Sequence, residues 1–68
     1  MKIKYFRETD TALLEFSGRL VGETREITEN VYVDLDEHGH LVSMTIEHAA
    51  QLTQLPQLIL EEIDAPAA

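Results

Sequence analysis

The sequence predicts a small α+β domain, an antiparallel β-meander of four or five strands followed by a short C-terminal helical segment. Three observations carry this. Apolar and polar residues alternate with period two through most of the chain up to residue 47. Polar or glycine-bearing turns at 7–10, 17–19, 29–30 and 36–40 cut that alternation into strand-sized pieces. Beyond Glu47 the pattern changes to residues that favour helix, beginning with Ala49, Ala50, Gln51 and Leu52.

Ile3 and Tyr5 share one face of a first short strand, and Arg7-Glu8-Thr9-Asp10 turns the chain. Ala12, Leu14 and Phe16 then face one way, with Leu13 and Glu15 opposite. Ser17-Gly18-Arg19 reads as the next turn. Val21, Glu23, Arg25 and Ile27 alternate with Thr24 and Glu26, giving an amphipathic, charge-rich third strand that ends at the polar pair Glu29-Asn30.

Val31 to Glu47 carries the strongest pattern and predicts a β-hairpin. Val31, Val33 and Leu35 lie on one face, with Tyr32 and Asp34 on the other; Val42, Met44 and Ile46 alternate with Leu41, Ser43, Thr45 and Glu47. The connection Asp36-Glu37-His38-Gly39-His40 has the length and the single glycine of a hairpin loop with a bulge. After it, a helical turn is expected near 48–53 and a helix of about two turns from Pro56 to Ile63, with proline in its first turn. The expected domain spans 1–64, with 65–68 as a frayed tail.

At 68 residues without cysteine, the chain has no disulfides and lacks the commonest structural zinc ligand. A single core of this size supplies only about 3–5 kcal/mol, so a partner subunit is the economical extra support. Seven apolar residues crowd the end of the chain (Leu52, Leu55, Pro56, Leu58, Ile59, Leu60 and Ile63), more than one narrow helical stripe requires. Leu52, Leu55, Leu58, Ile59 and Ile63 are therefore the expected self-association residues, packing on their own sheet or on a second subunit of a homodimer or other homo-oligomer.

The net charge of −8 argues against nucleic acid as a partner. All five basic residues (Lys2, Lys4, Arg7, Arg19, Arg25) lie in the first 25 positions, while Glu26 onward holds nine carboxylates and no Lys or Arg. That layout suits a solvated surface, or one that steers a basic protein partner. The beginning of the sequence lacks the apolar run of a secretory signal, and no stretch approaches a membrane span, so a soluble cytoplasmic protein is expected.

Candidate chemistry centres on Asp34, Asp36, Glu37, His38, His40 and His48. A calcium loop starting at Asp34 fails, because His38 stands where Asp or Asn is needed and Thr45 where the bidentate Glu belongs. Asp36, His38 and His40 have ligand types that suit zinc, copper or nickel, and they form the alternative reading, a metal- or small-ligand-binding β domain. A solvated polar turn explains the same residues more simply. Ser17 and Ser43 lack a recognisable triad, and Glu23 and Glu26 fall on opposite strand faces, so no enzyme is expected and no cofactor is implied.

Tyr5, Glu8-Thr9-Asp10, Leu14-Glu15-Phe16-Ser17, Glu23-Thr24-Arg25-Glu26-Ile27, Val31, Val33, Asp34, Asp36, Gly39, Leu41-Val42, Ile46 and Ala49 together resemble the pattern of Domain of Unknown Function family 2283, short bacterial and archaeal proteins. The resemblance covers about residues 3 to 52. It implies a small antiparallel β domain and no particular activity; its members resemble one half of small two-gene modules. The chain departs at Phe6, where a polar turn residue is more usual, and at Asn30 and Ser43, where glycine often stands. The expectation drawn from all this is a non-enzymatic interaction module that self-associates and acts as the acidic, antitoxin-like partner of a basic protein.

Overall fold

A computed structural model describes residues 1–54 and 57–64. Five strands form one antiparallel sheet: β1 (Lys2–Phe6), β2 (Thr11–Glu15), β3 (Glu23–Thr28), β4 (Val31–Leu35) and β5 (Leu41–Glu47). A one-turn helix, α1 (Ala49–Leu52), follows. The strand order is β1-β2-β5-β4-β3. β3, β4 and β5 make the expected meander and β1–β2 a hairpin, but β2 docks on β5, with Leu14 opposite Met44 and Ala12 opposite Ile46.

The segment from Phe16 to Gly22 therefore crosses the hairpin-tip end of the sheet to reach the far edge. Phe16 and Ser17 donate backbone N–H bonds to Val42 O at 2.8 and 3.2 Å, and Gly22 N–H donates to Leu35 O at 2.8 Å. Glycine suits position 22, because a Cβ would sit 3.0 Å from the backbone nitrogen of Glu37 and push the turn aside.

The register sorts the side chains by face. Ile3, Leu14, Met44 and Val33 form one continuous apolar row that ends at Arg25 on the edge strand. Tyr5, Ala12, Ile46 and Val31 flank it on one side, Val42 and Leu35 on the other. The opposite face carries Lys2, Glu15, Ser43, Asp34 and Thr24 in one row and Lys4, Leu13, Thr45, Tyr32 and Glu26 in the next. The sequence-predicted alternation of the hairpin holds from Val31–Ile46 to Asp34–Ser43 and is broken beyond that pair, where a register shift sets Leu35 opposite Leu41.

What the sheet lacks is a second layer. Among the described residues the buried apolar side chains are Ala12, Val42 and Ala49, and no large side chain is fully buried. The expected helix from Pro56 to Ile63 is absent over its described part: Gln57–Asp64 have no regular structure and are exposed. Leu55, Pro56 and the proposed frayed tail, 65–68, lie outside the described residues. Two turns of helix are marginal unless packing supports them, and Leu58, Ile59, Leu60 and Ile63 are 65–82% exposed. Only the turn near 48–53 takes its expected form, as α1.

Candidate functional site

Three carboxylates organise the polar half of the molecule. Asp36 stands at the hairpin turn, where Asp36 N–H donates to His40 O at 2.8 Å and Gly39 N–H donates to Asp36 O at 3.0 Å. Gly39 has φ of 82°, the left-handed residue of a three-residue hairpin loop, and the ladder shifts register past the turn, between the pairs Leu35–Leu41 and Asp34–Ser43. Asp36 Oδ1 accepts the N–H groups of His38 at 2.9 Å and His40 at 2.8 Å. Its Oδ2 lies 3.0 Å from Arg19 Nε of the crossing segment. The carboxylate is buried, and the backbone N–H of His40 leads the interactions that hold it below the ordinary carboxylate range.

This geometry bears directly on the metal reading. Both oxygens of Asp36 already hold the turn and the crossing segment. The His38 and His40 rings sit 6.2 Å apart between centroids, and His38 Nε2 is turned to Glu37 Oε1 at 3.3 Å. Among the described residues, no group of three or more His, Asp or Glu side chains is placed to hold a metal. His40 Nδ1 approaches Asp36 Oδ2 at 3.6 Å, but His38 is turned away to Glu37, so the three do not gather around a common point.

Asp10 makes the second anchor. It adopts φ of 55°, a left-handed conformation that Asp tolerates better than most residues. Its carbonyl accepts the Ala49 N–H at 2.9 Å, and its Oδ1 accepts the Ala50 N–H at 2.9 Å and the Tyr5 hydroxyl at 2.6 Å. The first turn of α1, whose own N-cap His48 makes no side-chain capping bond, is thus held by a residue forty positions earlier. The Tyr5 hydrogen bond leads the interactions that lower the Asp10 pKa, and the same bond raises that of Tyr5. Sequence alone gives Asp10 only a turn; the one available signal is an Asp at the end of a four-residue turn after a strand tyrosine.

The third anchor is Asp34, on the polar face of β4. Its Oδ1 accepts from the Thr24 hydroxyl at 2.5 Å and its Oδ2 from the Ser43 hydroxyl at 2.6 Å, which ties the three strands β3, β4 and β5 across their outer surface. Ser43 is itself buried. The serine at this position has a definite partner, and it reads as sheet chemistry rather than as a nucleophile.

The residues that carried the family resemblance are therefore largely those that hold the fold: Tyr5 with Asp10, Asp10 with Ala49, Thr24 with Asp34, Asp36 with Gly39. The chain belongs to the family described as Protein of unknown function (DUF2283). Its family model matches residues 2–49, ending where the clasp of Asp10 on Ala49 closes the sheet. No curated protein and no solved structure matches the chain.

The remaining candidate is the apolar face. At its β1–β2–β5 side, Ile3, Ala12, Leu14 and Ile46 form one wall of a groove of about 200 Å³, and Thr53, Gln54, Gln57 and Leu58 form the other. Leu52, Ile59 and Ile63 of the expected association set are 55–79% exposed; Leu55 lies outside the described residues. On the β3 side the face ends at Glu23 and Arg25, which pair with each other through Arg25 Nε and Glu23 Oε1. That contact lowers the Glu23 pKa and raises that of Arg25. No helix among the described residues is long and apolar enough to cross a membrane.

Proposed function

We propose that this DUF2283 protein is a non-enzymatic interaction module that self-associates through the apolar face of its sheet. The observation that carries the reading is the missing second layer. Stable domains pack two layers around a core, whereas here Leu14, Val33, Met44 and Ile46 are backed by one sheet and a short stretch of chain. The accessible surface is 5650 Å². A compact monomer of 7.7 kDa exposes about 4,300 Å². Part of the excess of about 1,300 Å² lies in the irregular, exposed stretch 57–64. Exposed Leu52, Leu58, Ile59 and Ile63 extend the apolar surface beyond the sheet.

Sedimentation of the purified chain at micromolar concentration tests this directly. A stable dimer or higher oligomer is the expected result, and a stable monomer overturns the reading.

A second surface favours a basic protein partner. Glu47, Glu26 and Glu29 surround Tyr32 on the polar side, and their charge, led by Glu47, raises the Tyr32 pKa. Among the described residues none of the three carboxylates has an ion-pair partner. An acidic antitoxin-like role would use this surface and leave the apolar face to the second subunit. Capture of such a partner should weaken steeply as salt rises, while association through the apolar face should not.

A further inference from the structure

The apolar face has a border that limits what can cover it. Glu23 and Arg25 are the charged strand residues on this face, both on the edge strand β3, with Glu23 level with Leu35 and Arg25 level with Val33 and Met44. Their side chains are 47% and 64% exposed. The other acidic strand residues, Glu15, Glu26, Asp34 and Glu47, lie on the opposite face. The face is thus nearly neutral in a chain of net charge −8, and it presents one anion and one cation side by side.

A two-fold interface must be self-complementary, since the same patch supplies both sides. An anion and a cation two positions apart on one strand meet that requirement when the strand crosses a reversed copy of itself. We infer that the occupant of the apolar face is a second copy of this chain, packed sheet to sheet about a two-fold axis that lies across the strands, so that Glu23 of each copy meets Arg25 of the other. This rests on the self-association reading above and adds its geometry.

The competing two-fold, with its axis along the strands, fails on the same residues. It lays β3 over β1 of the second copy and sets Arg25 against Ile3 and Glu23 against the beginning of β1, where they have no partners and lose water. With the axis across the strands, the gap of about 10 Å between packed sheets is one that glutamate and arginine side chains bridge together. The axis must then pass between the level of Leu35 and that of Val33 and Met44. This offset shifts the overlap away from the end of the sheet that holds Ile46, where Leu58 and Gln57 already lie against Ile3, Ala12 and Leu14. Ala12 and Ile46, which the chain partly covers for itself, are at the level the second copy leaves, while Ile3 and Leu14 border both.

Charge reversal in two separate chains tests the geometry. E23R gives a protomer with two cations at the border, and R25E gives one with two anions. Each alone should dimerise about tenfold more weakly than the wild type, because like charges now meet across the axis. An equimolar mixture should recover association as the heterodimer, read by native mass spectrometry with one variant isotope-labelled. Recovery cannot come from the pair within one chain, which stays broken in both variants. β3 is exposed along its whole length, so both variants should keep the sheet, as circular dichroism would verify. A mixture no more associated than its components, beside a dimeric wild type, overturns the geometry and leaves self-association standing. A monomeric wild type overturns both.

Discussion

The two faces of the sheet solve the same problem in opposite ways. On the polar side and at the turns, each key carboxylate finds its partners inside the chain: Asp34 takes the Thr24 and Ser43 hydroxyls, Asp10 takes Tyr5 and Ala50, and Asp36 takes two backbone N–H groups and Arg19. On the apolar side the chain has no comparable answer, and Leu14, Val33 and Met44 remain incompletely buried. Hydrogen bonds are short-ranged and satisfied by one neighbour each, so a thin sheet can complete them. Burial of apolar surface needs a whole second layer, which 68 residues do not provide. Substitutions on the two sides should therefore separate cleanly, with the polar framework controlling the melting temperature and the apolar face the mass.

The largest effect is expected at Met44, on the central strand. In a single chain, a lysine there can lay its stem along the sheet and carry its ammonium to water. Between two packed sheets that route closes. Met44→Lys should weaken self-association by about a hundredfold or more, the range of a hot-spot residue, while the β-sheet signal in circular dichroism persists. A variant that keeps the wild-type mass in sedimentation would break the contrast.

Next comes the polar framework. Asp36→Ala removes the acceptor of two backbone N–H groups and the partner of Arg19 in a buried position. A fall of about 10 °C in the thermal midpoint is expected, with the mass at saturating concentration unchanged. Asp36→Asn keeps an acceptor oxygen and should recover part of the loss. Were the alanine variant to lose mass without losing thermal stability, the division of labour would be reversed.

Acid should expose the same framework more gradually. Asp36 and Asp10 both have carboxyl pKa values held below the ordinary range, so they bind protons less readily folded than unfolded. Their contribution is complete above the unfolded value of about 4 and is lost as pH falls through the lower folded values. The wild-type melting temperature should drop on acidification from about pH 5 to pH 2, and a D10A/D36A double variant should show a flatter profile. Equal slopes would mean that these two carboxylates do not set the acid limit.

The sequence made the strands legible and left the connections between them obscure, for a physical reason. Alternation is local, so Val31–Leu35 and Leu41–Glu47 read correctly, and Gly39 marked their turn. That β2 pairs with β5 is a contact between residues some thirty positions apart, and no local pattern encodes it. The Asp10 clasp was hidden for the same reason. The helix expected from Pro56 to Ile63 failed differently. Propensity and apolar content favour helix there, yet Leu58, Ile59, Leu60 and Ile63 stay 65–82% exposed, and two turns without packing are not stable. Asp36, His38 and His40 were correctly located in one turn, but only the hydrogen bonds reveal that Asp36 is already occupied.

The smallest effect tests the reading that this turn invited. A ligand that binds only the folded state raises the melting temperature in proportion to the logarithm of its concentration over its dissociation constant. To bind through Asp36, a metal must displace Arg19 from one oxygen or two backbone N–H groups from the other, and it must gather histidine rings now 6.2 Å apart. Exchanging those internal partners for a metal gains little. Zinc, nickel or copper at tenfold excess, and EDTA, should leave the melting temperature within about 1 °C of the untreated protein. A clear rise with one metal, abolished in a His38→Ala, His40→Ala variant, would show that the turn rearranges to bind it. The polar side would then be as incomplete in the single chain as the apolar one, and the distinction between the two faces would fall.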